Sequence, residues 1–182
     1  LWTGPQLTAL EARPIGGLAA GEQVHAAVWV EDPSAAVRAW AVIGPGAIGP
    51  WRVKALVDDR WVDRSEGHTF AAVPADCVVM PGDRALCYER GQPSSPAIFS
   101  IAASPVARPL NGDLTAIYLK GATYVDAAAL RGVVLGTSGG HLYRLASDVD
   151  WIRLERGGPG LGDLVEAVST LPDLMLAAAG TS

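Results

Sequence analysis

Val133-Val134-Leu135-Gly136-Thr137-Ser138 runs from an apolar segment into the glycine pair Gly139-Gly140, and Ala177-Ala178-Ala179-Gly180-Thr181-Ser182 echoes it near the end of the chain. An echo at fixed spacing marks a repeat architecture, and the fold follows from its period. Working outward, Gly112-Asp113-Leu114-Thr115 matches Gly162-Asp163-Leu164-Val165, and the pattern extends back to Gly67-His68-Thr69-Phe70 and Gly21-Glu22-Gln23-Val24. A short apolar stretch follows each of these glycines: His25–Val30, Ala71–Val73, Ala116–Leu119 and Glu166–Val168. A second stretch then ends on a glycine: Val37–Gly44, Ala85–Gly91, Leu130–Gly136 and Leu174–Gly180. Two landmarks keep one period of about 45 residues.

The units are made of strands. Gln23–Val30, Val37–Ile43, Arg52–Val57, Thr115–Val125 and Arg131–Leu135 are rich in Val, Ile, Tyr and Trp, and Gly, Pro and Asp separate them. Gly139-Gly140 signals a hairpin into His141–Ala146. Trp61-Val62-Asp63-Arg64 and Trp151-Ile152-Arg153-Leu154 read as matching strands, with Ser104-Pro105-Val106-Ala107 at the equivalent place in another unit. Gly162–Leu171 also carries apolar residues at helical spacing. The repeat frame selects a strand there, and Asp148–Arg156 has the same ambiguity. Three or four strands in about 45 residues describe a propeller blade. The expectation is an all-β propeller over 1–182, with units near 1–46, 47–92, 93–140 and 141–182. Four units form either a small ring or a sector of a larger one, completed by further sequence or a second chain.

Leu130–Gly140, His141-Leu142-Tyr143-Arg144-Leu145, Ser147-Asp148, Trp151 and Gly160-Leu161-Gly162-Asp163-Leu164 together resemble a BNR-type or sortilin-like propeller blade. The resemblance spans about residues 129–182 and weakens upstream. It implies an Asp-box turn ahead of the tryptophan, here eroded to Ser147-Asp148-Val149-Asp150-Trp151. In such blades that turn is structural.

Composition narrows the function. The 182 residues are 49% hydrophobic and 18% charged, which excludes a disordered chain. Fourteen basic against nineteen acidic residues, with no basic cluster, argue against nucleic acid. No apolar run reaches the ~18 residues of a membrane-spanning helix. The N-terminus shows no signal-peptide pattern, so the chain reads as soluble, and the compartment stays open with the cytoplasm preferred. Cys77 and Cys87 read either as two strand thiols or as one local disulfide. No metal or cofactor motif is present.

Candidate chemistry is sparse. Gly136–Gly140 resembles the nucleophile loop of chymotrypsin-like serine proteases, and His25, Asp58 or Asp59, and Ser138 occur in that family's order. Thr137 stands where that loop has an acid, however, and the Gly-Thr-Ser recurs at 180–182. A repeated hairpin turn explains such a duplication; a nucleophile does not. Sialidases share the BNR-type propeller, but Tyr88, Tyr118, Tyr124 and Tyr143 with scattered arginines assemble into no set by spacing. Gly44–Trp51 lacks the Lys-Ser/Thr of a phosphate loop and reads as a rigid connection. Trp51 at its end is either an exposed binding aromatic or a packing residue, with Arg52 beside it. The expected function is non-catalytic recognition of a protein, peptide or glycan. The alternative is a hydrolase of the serine-protease or sialidase kind.

Overall fold

The computed structural model describes residues 15–46, 49–70, 75–89, 96–108, 119–126, 131–137, 142–154, 164–171 and 174–180. Among the described residues all fourteen elements are strands, as expected of an all-β chain. The first four are β1 (Gln23–Trp29), β2 (Ala39–Gly44), β3 (Arg52–Val57) and β4 (Arg60–Asp63). β5 (Ala75–Met80), β6 (Arg84–Glu89), β7 (Ala97–Ser100) and β8 (Val106–Ala107) follow. Then come β9 (Leu119–Val125), β10 (Gly132–Thr137), β11 (Leu142–Ala146) and β12 (Asp150–Leu154), and last β13 (Leu164–Leu171) and β14 (Leu174–Gly180).

Each set of four makes one antiparallel meander: β1-β2-β3-β4, β5-β6-β7-β8 and β9-β10-β11-β12, with β13-β14 as a separate hairpin. The second strands of the three four-stranded sheets begin at 39, 84 and 132, and β14 of the hairpin begins at 174. The unit boundaries read from sequence, after 46, 92 and 140, all fall between the second and third strand of a sheet. The matched tryptophan segments are fourth strands, Trp61 in β4 and Trp151 in β12, and Val106-Ala107 forms the two-residue β8 of the middle sheet. Of the two ambiguous segments, Leu164–Leu171 is the strand β13 and Asp150–Leu154 the strand β12. The Ala71–Val73 stretch lies outside the described residues.

Tight turns explain the meander. Asp58 and Asp59, at φ 48° and 58°, close β3 onto β4 through the pair Val57↔Arg60. Two left-handed residues match the strand twist, and Asp tolerates that region better than most side chains. Ser147 and Asp148 adopt the same sign of φ between β11 and β12.

The sheets stack face to face, and alternation along each strand sends neighbours into different cores. From β6, Ala85 and Cys87 join Trp40, Val42, Val53, Ala55 and Phe99 between the first and second sheets. Leu86 and Tyr88, one residue out of phase, join Val78, Met80, Val133, Leu135 and Leu145 between the second and third. The middle sheet is therefore buried on both faces. β2 is buried at all six positions, with Ala39, Ala41 and Ile43 on the face away from the second sheet. The first strands lie side by side: β1 beside β5, β5 beside β9, and β9 beside β13.

Polar links cross the stack. Arg84 pairs with Asp148, joining the start of β6 to the β11–β12 turn. The Trp151 indole N–H donates to the Arg108 carbonyl at 2.9 Å. The Val37 N–H donates to Asp83 Oδ1 at 3.1 Å, tying the first sheet to the second. Cys77 and Cys87 are cross-strand partners and form a disulfide, which settles the choice that spacing left open.

The expectation of a four-repeat ring is met only at the coarser level. Three sheets are complete, and among the described residues β13 and β14 pair with each other and with no other strand. Among the described residues the sheets form no closed ring.

Candidate functional site

Trp51 is a packing residue. Its backbone exchanges hydrogen bonds with Phe70 at 2.9 and 3.0 Å, in an isolated bridge that carries the chain from the first sheet toward the second. Its ring lies over Gly44, where an added Cβ would come within 2.6 Å of Cε3. The His25 ring sits 4.6 Å away, and Trp51 is 1% exposed. No ring face is open to a partner. This corrects its reading as a binding aromatic: Gly44 and Gly49 leave room for the ring to fold back into the core.

Arg52 is exposed and pairs with Asp63 at 3.1 Å. Burial raises the Asp63 carboxyl, but the Ser65 N–H and the Arg52 guanidinium outweigh it and hold the group below its ordinary value. Arg52, Asp63, Ser65, Glu66, Gly67 and Thr69 line a depression of about 390 Å³. That charge is satisfied locally.

His25 and Asp59 do not meet. Val24↔Ile43 and Ile43↔Arg52 place His25 near the start of β3, whereas Asp59 lies two residues beyond its last residue, Val57. At ~3.3 Å per residue they stand on the order of 15–20 Å apart. The proposed triad therefore loses two of its members as a pair. Ser138 lies outside the described residues, as does the Gly139-Gly140 turn, although β10 and β11 pair antiparallel on either side of it.

The larger concavity lies elsewhere, across the C-terminal ends of β1, β5 and β9. It has a volume of about 890 Å³ and lies between the 30–35 segment, the Pro81–Arg84 turn and the end of β9. Trp29 stands on its wall with 63% of its surface exposed, the most exposed large hydrophobic among the described residues. Tyr124 faces it from β9. Burial, helped by the Asp126 carboxylate, pushes the Tyr124 phenol above its ordinary value, so it stays a neutral donor.

The cleft is acidic. Glu31, Asp32, Asp83 and Asp126 line it against one cation, Arg84, which Asp148 already neutralises. Asp32 accepts from the Ser34 N–H at 2.8 Å and the Ser34 hydroxyl at 2.6 Å, and these bonds hold its carboxyl low and ionised. Asp126 pairs with Arg131 at 3.1 Å. Among the described residues, no three His, Cys, Asp or Glu side chains converge as metal ligands.

Sequence reasoning passed over Trp29. Its signal was local: an aromatic strand end running directly into the acidic turn Glu31-Asp32-Pro33-Ser34. No family model and no curated protein matches the chain.

Proposed function

We propose that this chain is a recognition module: successive blades of a β-propeller that present a cleft at the ends of their first strands to a protein, peptide or glycan partner. The cleft carries the reading, because it pairs a concavity of ligand size with an exposed tryptophan. Sites for small ligands and peptides run from about 300 to 1,000 Å³, with aromatic walls and a few polar groups that set orientation. Exposing a ring as large as Trp29 costs hydrophobic free energy that folding would otherwise recover, and binding recovers it instead.

Propeller blades fit the stacked four-strand meanders, with their first strands side by side and the Ser147-Asp148 turn where an Asp box stands in BNR-type blades. The ring is then completed by further strands, of this chain or of another. The Cys77–Cys87 disulfide favours an oxidising compartment over the cytoplasm, where thiols are kept reduced. The test is to probe peptide and glycan arrays with the chain and with Trp29→Ala. Saturable binding that disappears in the variant supports recognition through the cleft. Binding indifferent to Trp29, or no binding at all, rejects it.

A further inference from the structure

Resting on that recognition reading, we propose that the cleft takes an extended cationic peptide segment, with an arginine or lysine side chain placed between the Trp29 ring and the carboxylates around it. Four observations converge on this occupant.

The first is charge. Two of the five lining charges are cancelled in place, Arg84 by Asp148 and Asp126 by Arg131. Glu31, Asp32 and Asp83 remain. Among the described residues Asp32 and Asp83 accept hydrogen bonds from neutral donors, Ser34 and the Val37 N–H. Arg38, bonded to the Pro33 carbonyl, attracts Asp32 through space without forming an ion pair, so the charge of Asp32 is only partly offset. Glu31 is exposed and has no ion-pair partner among the described residues. A concave wall concentrates the field of such a group and draws in the opposite sign.

The second is the ring. An exposed indole beside carboxylates is a cation site, because the ring face attracts ammonium and guanidinium groups and the carboxylates strengthen that attraction. The third is the backbone. β1, β5 and β9 are each the edge strand of their sheet, and an edge strand offers N–H and C=O groups to an extended chain. Peptide is favoured over glycan on this ground. The fourth is size: about 890 Å³ accommodates a few residues of extended peptide.

The test is fluorescence anisotropy with three labelled octapeptides, alternating arginine, lysine or glutamate with serine. They are titrated into the chain and into Trp29→Ala, Glu31→Gln, Glu31→Lys and Asp150→Lys. Trp29 and Glu31 are exposed, so these variants keep the fold, which far-UV circular dichroism verifies. Asp150→Lys changes net charge as Glu31→Lys does, but on the outer strand β12. The basic peptides are expected to bind saturably and less tightly as salt rises, with the glutamate peptide silent. Trp29→Ala and Glu31→Lys should each weaken binding at least about tenfold, Glu31→Gln less, and Asp150→Lys within about twofold. Equal losses in Glu31→Lys and Asp150→Lys, or none in Trp29→Ala, would show attraction to the acidic chain as a whole and overturn the proposal. If the basic peptides fail here while a neutral peptide or glycan on the arrays binds in a Trp29-dependent way, the cationic occupant is wrong and recognition through the cleft survives. If nothing binds, both fail.

Discussion

Gly44→Ala probes why the repeat ends on glycine. Gly44 closes β2, and a Cβ there would lie 2.6 Å from Trp51 Cε3, 3.1 Å from Cδ2 and 3.2 Å from the Pro50 carbonyl oxygen. Carbon atoms in ordinary contact sit near 3.5–4.0 Å, so the ring must retreat by about 1 Å. It has little room, since Trp51 is 1% exposed, bonded through its backbone to Phe70 and in contact with His25. Overpacking of this kind costs about 1–3 kcal/mol. Loss of glycine's chain entropy returns at most about 0.4–1 kcal/mol, so the clash wins. The net loss reaches about 2.6 kcal/mol, and for a chain of this length the melting temperature should fall by as much as about 10 °C. Urea unfolding of four proteins isolates the contact: wild type, Gly44→Ala, Trp51→Leu and the double variant. With the ring gone, Gly44→Ala should cost little, giving a coupling of about 1 kcal/mol or more. A wild-type midpoint for Gly44→Ala, or the same cost in both backgrounds, would refute the reasoning.

Other perturbations test the links between sheets. Asp148→Ala removes the Arg84 pair between the second and third sheets; both side chains are about one-third exposed, so the loss should be about 1 kcal/mol and shrink in high salt. Replacing Cys77 and Cys87 by serine opens a loop spanning ten positions, which should cost about 2–3 kcal/mol in chemical denaturation, with free thiols counted in the unfolded wild type as the check. His68 packs against Phe70 and Phe99 at 5.4 and 5.5 Å, and burial holds its imidazole below the ordinary 6.5 despite the Glu89 carboxylate. The unfolded chain therefore takes up the proton first as pH falls. The His68 contribution is complete above 6.5 and is lost as pH drops through the folded-state value, and His68→Gln should flatten that limb of the stability profile. An unchanged profile in the variant would assign the limb to other groups.

The legibility of the fold varied with how the strands are buried. β3 was readable to the residue, because Arg52–Val57 lies between a Gly/Pro loop and the Asp58-Asp59 turn. Strands buried on both faces, such as β2, show no apolar–polar alternation, so their character came from β-branched content and the repeat instead. β13 carries helical spacing, and only the period selected a strand. β5 and β7 were not read individually: β5 opens on Ala75-Asp76, and β7 is four residues long. At the site, the wrong tryptophan drew attention. Trp51, at the end of a Gly/Pro loop, stayed open between a binding and a packing role, while Trp29 lay unremarked at the end of an apolar stretch. Only the stacking of the sheets shows that one ring folds inward over two glycines while the other stays largely exposed at the cleft.

Side-chain nuclear Overhauser effects along β6 test the stacking most directly. The account predicts that Ala85 and Cys87 contact Val53, Ala55 and Phe99, while Leu86 and Tyr88 contact Val133, Leu135 and Leu145. If consecutive β6 residues report to the same sheet, or if Leu86 and Tyr88 show no contact with the third sheet, the face-to-face succession of sheets is wrong.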